Sequence, residues 1–151
     1  MTATSPSYHL FGNLLTFRER PSDGAPFLLS ECRTAPGAGA PPNRHPGDDE
    51  AFYILSGRYE FSVAGETRTV GPGDYVRIPN GAPHDFRNPG AETASMLVIN
   101  WPGRQHEAFF STLGEAVAAD AVPAAPAGPP PEAVLQGLRR LSAECGVELL
   151  V

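Results

Sequence analysis

The chain has 151 residues, 41% of them hydrophobic, with 16 Gly and 17 Pro, which suits one turn-rich domain with a buried core. Its net charge of −6 and scattered basic residues, Arg18 through Arg140, exclude the concentrated basic face that a nucleic-acid partner needs. All eleven basic side chains are arginine, so lysine Schiff-base chemistry is excluded; Cys32 and Cys145 are the only cysteines, too few for a disulfide framework or a four-cysteine zinc site.

Residues 1–9 read as a loose N-terminal tail. The first eight residues have neither a basic n-region nor an apolar h-region, and no apolar run reaches the length of a membrane span, so a cytoplasmic protein with no membrane partner is expected. Leu14, Leu15, Thr16 and Phe17 begin the first β-rich segment, which ends at the turn Pro21-Ser22-Asp23-Gly24. A second strand over 27–34 stops at Pro36-Gly37, and Pro41-Pro42 hold the following segment extended.

Residues 51–55 are apolar on both faces, which predicts a central strand. Residues 58–63 alternate, with Tyr59, Phe61 and Val63 on the buried side. A hairpin at Ala64-Gly65-Glu66 leads to short strands over 67–70, 75–78 and 84–87 and a last long one over 93–101, parted by Gly/Pro turns. So many short strands imply a jelly roll or similar closed β architecture, an all-β barrel over 10–103. Helical spacing of Phe109, Phe110, Leu113, Ala116 and Val117 predicts a helix over 105–119. A Pro/Ala-rich linker follows over 118–131. A second helix then starts at Pro131, with Val134, Leu135, Leu138, Leu141 and Cys145 on one face and Gly146 as its cap. The apolar end, 147–151, needs a docking surface on its own barrel or on a partner, and 104–151 as a whole reads as a helical extension.

Two motifs stand inside the β-rich part. The first, G-x5-N-x-H-x4-E-x6-G, runs from Gly37 through Asn43, His45 and Glu50 to Gly57; the second, G-x5-P-x-G-x2-H-x3-N, runs from Gly73 through Pro79, Gly81 and His84 to Asn88. With these spacings the chain resembles the cupin superfamily, small β-barrels with an internal metal site. The second motif matches that family at every fixed position. The first carries Asn43 where the family usually has its first histidine. The segment from Pro102-Gly103 to Phe109-Phe110 is similar to bacterial quercetin 2,3-dioxygenase-like cupins.

The resemblance implies that His45, Glu50 and His84 point inward and hold one divalent transition metal, with Fe, Mn, Ni, Co and Zn all suited to such a set. Asn43 has three readings: a weak oxygen ligand, a hydrogen-bond partner of a metal-bound water, or the mark of a lost site. Asp48 and Asp49 read as solvated loop charges. His9 and His106 lie outside both motifs and read as ordinary surface or core histidines. Tyr53, Tyr59, Phe61, Tyr75, Phe86 and Trp101 read first as core and second as the lining of a pocket. The function implied is a mononuclear metal-dependent dioxygenase-like enzyme, with Glu50 as general base toward a small enolisable or aromatic metabolite. A non-oxidative isomerase or cyclase would use the same parts, and a metabolite-binding module with a degenerate site is the alternative that Asn43 favours. Cupins of this size commonly pair, so a homodimer is expected.

Overall fold

The computed structural model describes residues 5–151. In chain order its strands are β1 (Ser7–Leu10), β2 (Asn13–Glu19), β3 (Leu28–Thr34), β4 (Gly39–Arg44), β5 (Asp49–Ser56), β6 (Tyr59–Val63), β7 (Glu66–Val70), β8 (Tyr75–Ile78), β9 (His84–Arg87), β10 (Ala94–Trp101), β11 (Glu115–Val117) and β12 (Glu148–Leu149). Helix α1 (Arg104–Leu113) follows β10, and α2 (Glu132–Glu144) precedes β12. The strands form two antiparallel sheets, ordered β11-β1-β2-β3-β10-β5-β8 and β12-β4-β9-β6-β7. This is the all-β jelly roll expected, with two C-terminal helices.

Alternation explains which side chains meet between the sheets. Along β10, Ala94, Met96, Val98 and Asn100 are buried while their neighbours are partly exposed; along β6, Tyr59 and Phe61 point inward. Phe52, Tyr59, Phe61 and Phe86 pack ring against ring within the core, with centroids 4.8 to 6.1 Å apart.

Four expectations are corrected. The tail over 1–9 is not loose throughout: residues 1–4 lie outside the described ones, but Ser7–Leu10 is a strand paired with both β2 and β11. The first helix ends at Gly114 instead of running to 119, because Glu115–Val117 leaves it to pair with β1. The extension is therefore not only helical; β11 and β12 each add a strand to a barrel sheet. Finally, β5 is not apolar-buried on both faces, since Tyr53 and Leu55 are exposed on its outer side.

The segment 118–131 has neither helix nor strand. It is tied to the sheet by Arg33, whose guanidinium donates to the Ala119 and Ala121 carbonyls. The apolar end docks on its own barrel: Val147 and Leu149 are buried, and β12 pairs with Asn43 and Arg44 of β4.

Candidate metal centre

The two sheets bring the motif residues together at one end of the core. Asn43 on β4 lies opposite His84 on β9, and Glu50 on β5 lies opposite Asn100 on β10. His45 sits in the connection between β4 and β5. The turn before His84 requires a left-handed residue, met by Gly81 at φ 75°. His45, Glu50 and His84 are all buried.

The decisive feature is where the protons are. His45 Nδ1 lies 3.0 Å from the Asp48 carbonyl, and His84 Nδ1 lies 2.8 Å from the Ala82 carbonyl. A carbonyl oxygen only accepts, so both rings carry their proton on Nδ1 and turn the Nε2 lone pair inward. The two Nε2 atoms are 3.2 Å apart, and Glu50 Oε1 is 3.2 Å from the first and 3.0 Å from the second. Three acceptors thus face one another across a buried triangle. Such a group favours positive charge. Burial works against charge on Glu50, but the two imidazoles outweigh it and hold the carboxyl well below its usual range. Burial likewise lowers the His45 pKa, yet hydrogen bonding and attraction to Glu50 raise it overall.

Three ligands about 2.1 Å from one ion at right angles lie about 3.0 Å apart. The triangle has that size, and carbonyl-anchored imidazoles are the usual outer support of metal-bound histidine. The residues fit a divalent transition ion.

Further polar groups surround the triangle. Asn100 Nδ2 donates to Glu50 Oε2 at 2.7 Å, fixing the carboxylate plane. His106 of α1 was not among the predicted ligands, yet its Nε2 lies 3.5 Å from Glu50 Oε2. His45, Glu50 and His106 each offer a ligand atom within 4.8 Å of the others'. Asp48 is fully buried instead of solvated, and accepts from the Gly103 and His106 backbone N–H groups and from His106 Nδ1–H, at 2.9 to 3.0 Å. Burial tends to raise its carboxyl, but those donors prevail and hold it below its usual value. Asp49 faces outward and accepts from Asn80. Asn43 is buried, and its Nδ2 donates to the Pro41 carbonyl at 2.9 Å and the His84 carbonyl at 3.4 Å.

Beside the centre lies a cavity of about 60 Å³. Asn43, Glu50, His84 and His106 form its polar end; Phe86, Val98, Phe109, Phe110, Val147 and Leu149 supply apolar wall. Of the aromatics singled out in the sequence, Phe86 lines it, Tyr59 and Phe61 are core, and Tyr53 and Tyr75 are exposed. His9 accepts from the Ala124 backbone N–H in the 118–131 segment.

Comparisons with known proteins agree with this architecture. Residues 30–100 match the family model of the cupin domain. Over 76 residues the chain is 38% identical to dimethylsulfoniopropionate lyase DddQ of Ruegeria pomeroyi, covering 50% of this chain and 36% of the lyase. The chain spans about half or less of the length of the curated relatives it matches. Among solved structures, a protein from Thermus thermophilus is 30% identical with a TM-score of 0.50, covering 58% of this chain and 84% of that one. The polyketide cyclase RemF of Streptomyces resistomycificus is 27% identical with a TM-score of 0.55, covering 68% and 70%. Motif spacing, jelly-roll topology and family match lead to one assignment: this chain belongs to the cupin superfamily.

Proposed function

We propose that the protein is a metal-dependent enzyme that removes a proton from carbon next to a carbonyl or carboxylate group of a small metabolite, in the manner of a lyase, isomerase or cyclase. One observation carries this: two Nε2 lone pairs and the Glu50 carboxylate converge at 3.0 to 3.2 Å. His45, His84 and Glu50 would hold a divalent ion, which supplies Lewis-acid polarisation of a substrate oxygen. Glu50, its carboxylate oriented by Asn100, would be the group that takes the proton as general base. The aromatic rings of α1 keep water from the proton in flight.

The cavity, about 60 Å³, supports a substrate of few atoms; pockets for drug-sized ligands hold roughly 300–1,000 Å³. Likeness to a lyase and to a cyclase supports the same class. A dioxygenase-like reaction is the second reading, favoured by the two-histidine, one-carboxylate set with open positions. Metal analysis of protein purified without a chelating tag, then deuterium exchange into small 2-oxo and 3-oxo acids with oxygen uptake followed in parallel, separates them. Exchange without uptake supports proton abstraction, and uptake supports the dioxygenase. A protein that binds no metal sinks both and leaves a metabolite-binding module. We further propose a homodimer that covers exposed Tyr53 and Tyr75, which pair across β5 and β8; a monomer mass in light scattering would rule it out.

A further inference from the structure

The position where the family motif has its first histidine holds Asn43, whose amide nitrogen is committed to two backbone carbonyls. An imidazole arrives from elsewhere. His106, the third residue of α1, is buried, and its ring lies edge-on to His45 with centroids 4.2 Å apart, nearer than the His84 ring at 4.8 Å. Its Nδ1–H is bound to Asp48 Oδ2, so its Nε2 lone pair faces Glu50 Oε2. No two ligands of one ion with bonds of about 2.1 Å lie more than about 4.2 Å apart. The atoms of His45, Glu50 and His106, all within 4.8 Å, come near that span.

The docking of α1 is built for this placement. Gly103 starts the helix at φ 88°, and a Cβ there would stand 2.5 Å from the Leu28 backbone nitrogen, so only glycine fits. Its N–H and that of His106 both end on Asp48, within the first motif. Gln105 fills the space left by Gly47 and Gly146, clamping the helix between the motif loop and the C-terminal turn. Asp48 thus orients two imidazoles at once: His45 through its carbonyl and His106 through its carboxylate.

We propose that His106 is a fourth protein ligand of the metal centre, a helix-borne imidazole in place of the one that Asn43 does not supply, with Asp48 as its positioning residue. The inference rests on the metal site proposed above and adds that ion binding and docking of α1 are linked.

The test is a Co(II) titration of the full chain, followed by its visible absorption, with hydrogen exchange of α1 amides measured with and without the ion. His106→Gly should weaken Co(II) binding by about 10-fold or more and change the absorption bands, and added imidazole should restore both. Asp48→Asn should weaken binding about 10- to 100-fold. In the wild type, Co(II) at about 100 times its Kd should slow exchange of the α1 amides by up to ~100-fold, and in His106→Gly it should not. Unchanged affinity and bands in His106→Gly, with binding lost in His84→Ala, would overturn the role of His106 while leaving the three-residue centre intact. A wild type that binds no Co(II) would overturn both. Imidazole rescue separates a lost ligand from a misfolded variant, which added imidazole cannot repair.

Discussion

The barrel interior holds two buried polar clusters that touch the same cavity, and they are built on opposite rules. On one side, the Tyr59 hydroxyl donates to Thr34 Oγ1 at 2.9 Å, Thr34 donates to Asn13 Oδ1 at 2.7 Å, and the Asn13 amide donates to the Leu10 and Gly39 carbonyls at 3.2 and 2.9 Å. Cys32 adds a weak donor to the same oxygen. Each donor meets an acceptor, and the chain is neutral: burial pushes the Cys32 thiol up to about 12 and raises the Tyr59 phenol as well. On the other side, His45, His84 and Glu50 set acceptor against acceptor. A closed donor–acceptor chain gains stability and asks for nothing further. A ring of facing lone pairs is favourable only around a cation. Both clusters are buried and polar, so burial alone does not tell structure from function; the direction of the protons does.

The contrast is most exposed at the acceptor ring. His84→Ala or Glu50→Gln should lower retained metal by roughly 100-fold or more, because each removes a ligand from a set of three or four. Mass spectrometry of metals in purified protein would register it. If either variant kept a stoichiometric ion, the ring would not be the centre.

How far the sequence foretold these clusters follows from range. Strand periodicity, the Gly/Pro turns and the spacing from His45 to Glu50 are local, and they located the barrel and three converging side chains. His106 escaped because its role depends on a partner 58 residues away, Asp48, and on a helix that starts where Gly103 must turn left-handed. A hint was present: the segment begins just past β10, whose Asn100 bonds Glu50. Asp48 was misjudged for the same reason, since three successive acidic residues look solvated until the amides that cover the first are known. The end of α1 was overrun because Ala116 and Val117 continue its apolar phase, yet β1 offers their backbone an open sheet edge.

At the satisfied cluster, Asn13→Ala should have the next largest effect. It strips partners from two carbonyls and two donors, for a loss of about 2–4 kcal/mol. Urea unfolding would report it, with Co(II) affinity near that of the wild type.

The acceptor ring should also impose a pH signature that the neutral chain does not. His45 has a folded pKa above its usual 6.5, so its stabilisation is full below about that pH and is lost as pH rises through the folded value. Glu50 lies below its usual 4.5, so its share is present above that value and lost as pH falls through the depressed one. Metal-stripped protein should therefore be most stable between these limits and decline toward about pH 8. Divalent metal takes the place of the proton, so its affinity should rise over the same interval and abolish the decline. Thermal melts at about pH 5, 6.5 and 8 with and without Co(II) check this. A metal-free melting temperature that climbs from about pH 6.5 to 8 would contradict the assignment of His45.

The mildest change separates the clusters most finely. Tyr59→Phe removes one donor but leaves Thr34 still donating to Asn13, so no buried donor is stranded. The cost should be about 0.5–1.5 kcal/mol, near that of a single neutral hydrogen bond. Because the phenol takes part in neither the ring nor its support, Co(II) affinity and absorption should not move. A shift in either would mean that the two clusters are coupled across the cavity, and that proton direction alone does not divide a structural network from a functional one.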